Sequence, residues 1–109
     1  MKNKAFLENF AKECAAEAQP ASGQKFVGWE ELVFTLVGFG LKMILPEIKE
    51  WIKLGATTIT MKRLKIRQKL IDYAIKKELD FPAAEKAAEA ISNRIDDVNI
   101  GKIVEALEN

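Results

Sequence analysis

The chain has no histidine and a single cysteine, Cys14, among its 109 residues. Without an imidazole, Ser–His and Cys–His nucleophilic catalysis have no general base. An ordinary zinc site is left with one soft ligand. One thiol makes no intramolecular disulfide, so nothing ties the chain to an oxidising compartment. The N-terminal MKNKAFLENFAKECAAEA is interrupted by Glu8, Glu13 and Glu17. It has no continuous apolar h-region, which argues against a secretory signal peptide and makes the cytoplasm the default location. A phosphate-cradling glycine loop is missing too. Gly38-Phe39-Gly40 lies inside an apolar run, with neither the further glycine nor the lysine such loops carry.

Carboxylates are plentiful, but their spacing suits no acid–base pair. Glu30-Glu31 and Asp96-Asp97 are sequence neighbours, which do not face each other on a helix. Both pairs fit helix starts, where acids favour the dipole. The run from Asp96 to Gly101 has the central glycine of a calcium loop, but Val98, Ile100 and Leu107 stand where ligands are needed. Glu13 and Glu17 beside Cys14 would raise its pKa, so this thiol reads as a small buried hydrophobe. No catalytic residue, metal, cofactor or small-molecule substrate is expected, and the chain reads as a non-enzyme.

The composition, 49% hydrophobic and 30% charged, is that of a globular protein of one domain. Net charge is only +1, yet it is segregated. Between Lys62 and Lys77 lie seven basic residues and one acid, a net +6 against −5 elsewhere.

Hydrophobic spacing predicts an all-α bundle of about five helices. Residues 1–19 form an N-terminal amphipathic helix with Phe6, Leu7, Phe10 and Cys14 on one stripe and Asn3 as cap. Residues 20–28, with Pro20, Ser22 and two glycines, read as a linker, and 29–109 as the bundle, the whole making one domain. From Leu32 to Leu45 only Thr35 and Lys42 are polar. No polar face can be drawn on such a helix, which predicts burial on all sides. Pro46 either kinks this helix 29–45 or opens a new one at its first turn. Ile48, Trp51 and Ile52 follow as a stripe, and Gly55 is a C-terminal stop.

Ala56 to Thr60 reads as a connection, with Thr58 or Thr60 capping a helix over about 61–79. Met61, Leu64, Ile71, Ile75 and Leu79 share one of its faces and Ile66, Leu70 and Tyr73 a second. Asp80 caps a fourth helix, with Pro82 in its first turn and Ala84, Ala87, Ala88, Ile91 and Ile95 inward. A fifth, starting near Asp97 or Asn99, sets Ile100, Ile103, Val104 and Leu107 on its apolar side.

So much apolar surface exceeds what four neighbouring helices can cover, two of them short. A protein-interaction or structural assembly module, self-associating as a homo-oligomer or joined to a protein partner, answers that excess. The expected contact residues are Leu32, Phe34, Leu36, Val37, Phe39, Leu41, Ile66, Leu70 and Tyr73. Lys62, Arg63, Lys65, Arg67 and Lys69 are candidate phosphate contacts, on nucleic acid or a membrane surface. The alternative for them is a solvated face or ion pairs to acids of the same chain. Trp29 and Trp51 flank the apolar run, as interfacial aromatics do. The order of apolar segment, basic helix and acidic, alanine-rich C-terminal region resembles that of small phage membrane proteins such as holins. That resemblance implies a peripheral or membrane-associated protein as the alternative to a cytoplasmic assembly module.

Overall fold

A computed structural model of the chain describes residues 4–17, 28–55 and 58–108. All regular structure in them is helical, and the fold is a small all-α bundle. The expected cap Asn3 and the expected linker up to residue 27 lie outside the described residues, as do positions 56–57.

Helix α1 (Lys4–Glu17) buries Phe10 and Cys14 of the expected stripe together with Ala11 and Ala15, while Phe6 and Leu7 of that stripe are half-buried against the core. After Gly28, in the left-handed region at φ 74°, the apolar run opens as α2 (Trp29–Thr35). It continues through one π-helical turn (Leu36–Gly40) into the short α3 (Leu41–Met43). At Ile44 (φ −101°, ψ 6°) the backbone leaves helical geometry, and α4 (Leu45–Leu54) begins. Pro46 stands in its first turn, where a missing N–H costs nothing because those donors have no intrahelical partner. Gly55, at φ 66°, ends α4 as the sequence predicts.

Helix α5 (Ile59–Lys76) is capped by Thr58, whose Oγ1 accepts the Met61 N–H at 3.3 Å. It therefore starts two residues before the expected Met61. Helix α6 (Phe81–Arg94) has Pro82 in its first turn. Asp80 occupies the cap position but its side chain makes no capping hydrogen bond. Ahead of α7 (Ile100–Glu108), Asp96 and Asn99 build the turn themselves. Asp96 Oδ1 accepts the N–H groups of Val98 and Asn99 at 2.8 and 2.7 Å, and Asn99 Oδ1 accepts the Asp96 N–H at 2.9 Å. The oxygens that resembled part of a calcium loop are thus spent on backbone donors.

The core runs through every element. Val33, Leu36, Val37 and Leu41 share one buried cluster with Ile66, Leu70 and Ala74 of α5, Ile91 of α6 and Ile103 of α7. The alanines Ala83, Ala84, Ala87 and Ala88 let α6 lie close against its neighbours. Among the described residues no buried side-chain nitrogen or oxygen lacks a hydrogen-bond partner, so the bundle closes without stranded polar groups.

One expectation fails. The apolar run is not shielded on all sides: Phe34, Phe39 and Met43 are exposed, at 37, 66 and 62%. The helices available pack on one side of it only. The same holds for α5, where Met61, Leu64 and Ile75 face solvent while Ile66 and Leu70 are fully buried.

Candidate interaction surface

The surface begins with a local anomaly in the backbone. Gly38 and Gly40 are weak helix formers in the middle of an apolar run. There the chain widens into the π turn, in which the Leu41 N–H reaches back to the Leu36 carbonyl. Gly40 faces inward. A Cβ at this position would lie 2.8 Å from Leu70 Cδ2 and 3.6 Å from Tyr73 Cδ1. Glycine lets the backbone come this close to α5 without displacing the Leu70 side chain. Gly38 faces the other way, and a Cβ there would meet no atom within 4 Å.

The turn separates two faces of the helix 29–43. Trp29, Val33, Leu36, Val37, Gly40 and Leu41 point into the bundle. Glu31, Phe34, Phe39, Lys42 and Met43 point out of it, with Thr35 and Gly38 half-exposed between them. Exposed apolar side chains scattered singly are ordinary. Three large ones along one short helix are a patch of the kind that marks interaction sites.

The nine expected contact residues divide along this boundary. Leu36, Val37, Leu41, Ile66 and Leu70 are buried in the core of the subunit; inward spacing and outward spacing look alike in a run with no polar marker. Phe34 and Phe39 are open, and Leu32 and Tyr73 are half-buried. On α5 the pair of faces is reversed from what assembly requires. The Ile66–Leu70–Tyr73 face packs inward, and the outward one carries Met61, Leu64 and Ile75.

The basic stripe of α5 is largely engaged within the chain. Lys62 is 8% exposed, its Nζ 3.8 Å from Asp97 Oδ1. Arg63 Nε donates to the Ile95 carbonyl at 2.7 Å. Lys65 Nζ sits 5.4 Å from the centre of the Trp51 ring, a cation–π contact. Lys69 Nζ lies 3.3 Å from Glu47 Oε1. Of the five candidate phosphate contacts, Arg67 alone has no such contact among the described residues. Two of the seven bases between Lys62 and Lys77 thus pair with acids from other segments, Lys62 with Asp97 and Lys69 with Glu47.

A second ion cluster had no clear sequence signal. Arg94, at the end of α6, donates to Glu13 Oε2 at 2.6 Å and to Glu17. Both glutamates lie on α1 one turn apart, and only tertiary packing brings Arg94 to them. The hydrogen bond to Glu17 leads the effects that hold the guanidinium even more firmly protonated than usual. Trp29 Nε1 adds a hydrogen bond to the Ala15 carbonyl at 2.9 Å. Together these contacts dock α1, with its buried Cys14, against α6 and α2. Burial pushes that thiol up to about 12, with Glu17 and Glu13 adding to the rise and Arg94 opposing it. A polar cleft of about 530 Å³ opens beside Arg94, lined by Asn9, Asn93 and Asn99 among others. Glu13 and Glu17 of the lining already hold Arg94, and Asp96 accepts the backbone N–H groups of Val98 and Asn99.

No group of three or more ligating side chains among the described residues could hold a metal ion. Nor is any helix among them long and apolar enough to cross a membrane. Set against protein-family models, characterised proteins and solved structures, the chain matches none.

Proposed function

We propose that this chain is a non-enzymatic assembly module that associates with itself through the outer face of its apolar helix. The observation that carries the reading is the open row of Phe34, Phe39 and Met43 on a helix whose other side is fully built into the core. Covering one large apolar side chain stabilises by about 1.5–3 kcal/mol, so leaving three in water is costly unless a partner covers them. The engagement of Lys62, Arg63, Lys65 and Lys69 within the subunit favours this reading over a phosphate-binding face.

Light scattering of the full chain tests it. The expected mass is a multiple of 12.2 kDa that persists at high salt, because apolar contact is not screened. Phe39→Asp is expected to return the particle to the mass of one chain. A single-chain mass for the unaltered protein at micromolar concentration overturns the reading.

A further inference from the structure

Between Glu31 and Lys42 the exposed residues of the helix 29–43, with half-exposed Thr35 and Gly38 between them, follow an order that reads the same from either end, except for the sign of charge; Glu30 and Met43, also exposed, stand outside it. From the N-terminal side the order is Glu31, Phe34, Thr35, Gly38, Phe39 and Lys42: acid, aromatic, small, small, aromatic, base. The midpoint falls between Leu36 and Val37, at the start of the π turn. We propose that two copies of the chain pair through this face in antiparallel register about a two-fold axis at that midpoint. Phe34 then packs on the partner's Phe39, and Glu31 pairs with the partner's Lys42. The assignment rests on the self-association reading above and specifies its geometry.

An isologous contact must be self-complementary under a two-fold rotation. Antiparallel pairing of this face meets that condition twice over, bringing each acid to a base and each phenylalanine to a phenylalanine. Parallel pairing would set Glu31 against the partner's Glu31 and Lys42 against the partner's Lys42, which is repulsive. Antiparallel helices also set the positive end of each dipole beside the negative end of the other. Neither Glu31 nor Lys42 has an ion-pair partner among the described residues, although Lys49, Lys62, Lys69 and Arg94 all do. The two charges needed across the axis are thus left available.

The π turn contributes directly. At 3.6 residues per turn, Phe39 would stand about 140° around the axis from Phe34. A turn closed by an i→i+5 hydrogen bond narrows that angle and brings the two rings toward one face. Gly38 and Thr35 lie nearest the axis, and the open space outside Gly38 leaves room for close approach. A lipid surface suits the face less well. Glu30 and Glu31 close one end of it, and acids are repelled by anionic headgroups.

Charge reversal tests the register, read by sedimentation equilibrium at low ionic strength. Glu31→Lys and Lys42→Glu alone are each expected to weaken dimerisation by on the order of tenfold. The double variant Glu31→Lys/Lys42→Glu is expected to restore it, because the pairs re-form with their signs exchanged. In a parallel dimer each single change would replace one repulsion by another and leave the constant unmoved. If the unaltered chain self-associates but the single changes have no effect, the antiparallel register is overturned and self-association stands. If the unaltered chain is monomeric, both fall. A monomer that floats with phosphatidylglycerol vesicles, and loses this with Phe39→Asp, would assign the face to lipid instead.

Discussion

Helix α6 turns Glu85, Lys86 and Glu89 toward water, whereas the helix 29–43 turns Phe34, Phe39 and Met43 there. Their inner faces are equivalent. Ile91 and the alanines of α6 are as completely buried as Val33, Leu36 and Leu41 of the apolar helix. Folding of one subunit asks only for the inner face, and beyond Phe81 at its start, 46% exposed, α6 shows the usual solution for the other, a row of charges. The apolar outer face of the helix 29–43 is therefore unexplained by the fold of one chain. That contrast is what points to a partner.

The comparison breaks first if the inner faces are not equivalent. Leu36→Ala and Ile91→Ala each remove a large, fully buried side chain. Each is expected to cost about 2–5 kcal/mol of unfolding free energy in urea titration. A cost near zero for Leu36→Ala would mean that the apolar helix is not part of the subunit core, and the division into two faces would fail.

The glycines sharpen the comparison within one turn. A methyl group at position 40 meets Leu70 at 2.8 Å in a closed core. Overpacking of about 1–3 kcal/mol outweighs the gain of up to about 1 kcal/mol in helix propensity. Gly40→Ala is thus expected to destabilise by about 1 kcal/mol. Gly38→Ala meets nothing and keeps only the gain, so it is expected to stabilise by about 0.5–1 kcal/mol. Thermal melts of the two variants, taken at a concentration where the chain is monomeric, should move in opposite directions. A shift of the same sign in both would place Gly40 away from α5.

How far the sequence reveals this arrangement depends on whether polar residues mark the outer face. In α6 and α7 charges alternate with apolar stripes, and every residue expected inward is buried. The Gly55 stop and the Thr58 cap are equally legible, since each reflects one residue's backbone chemistry. Between Leu32 and Leu45 the marker is missing, so all faces look alike and burial on every side is the expectation. Nothing in the spacing signals a π turn, which shifts the register of Phe39 relative to Phe34. The basic stripe of α5 is visible as charge, but its engagement by Glu47, Asp97, Trp51 and the Ile95 carbonyl arises only from packing between distant segments.

The smallest effect on the fold is expected at the residue that matters most for association. In the proposed dimer Phe39 packs against a second copy and not against its own subunit. Phe39→Ser should therefore change unfolding free energy by no more than about 0.5 kcal/mol when measured at a concentration where the chain is monomeric. The same substitution should lower the mass seen at higher concentration. Lys86→Ser on the outer face of α6 serves as the matched control and should alter neither quantity. Stability and association would then separate cleanly on one helix and fail to separate on the other. If Phe39→Ser instead destabilises the monomer by several kcal/mol, the ring is anchoring its own subunit, and the outer face of the apolar helix needs no partner to account for it.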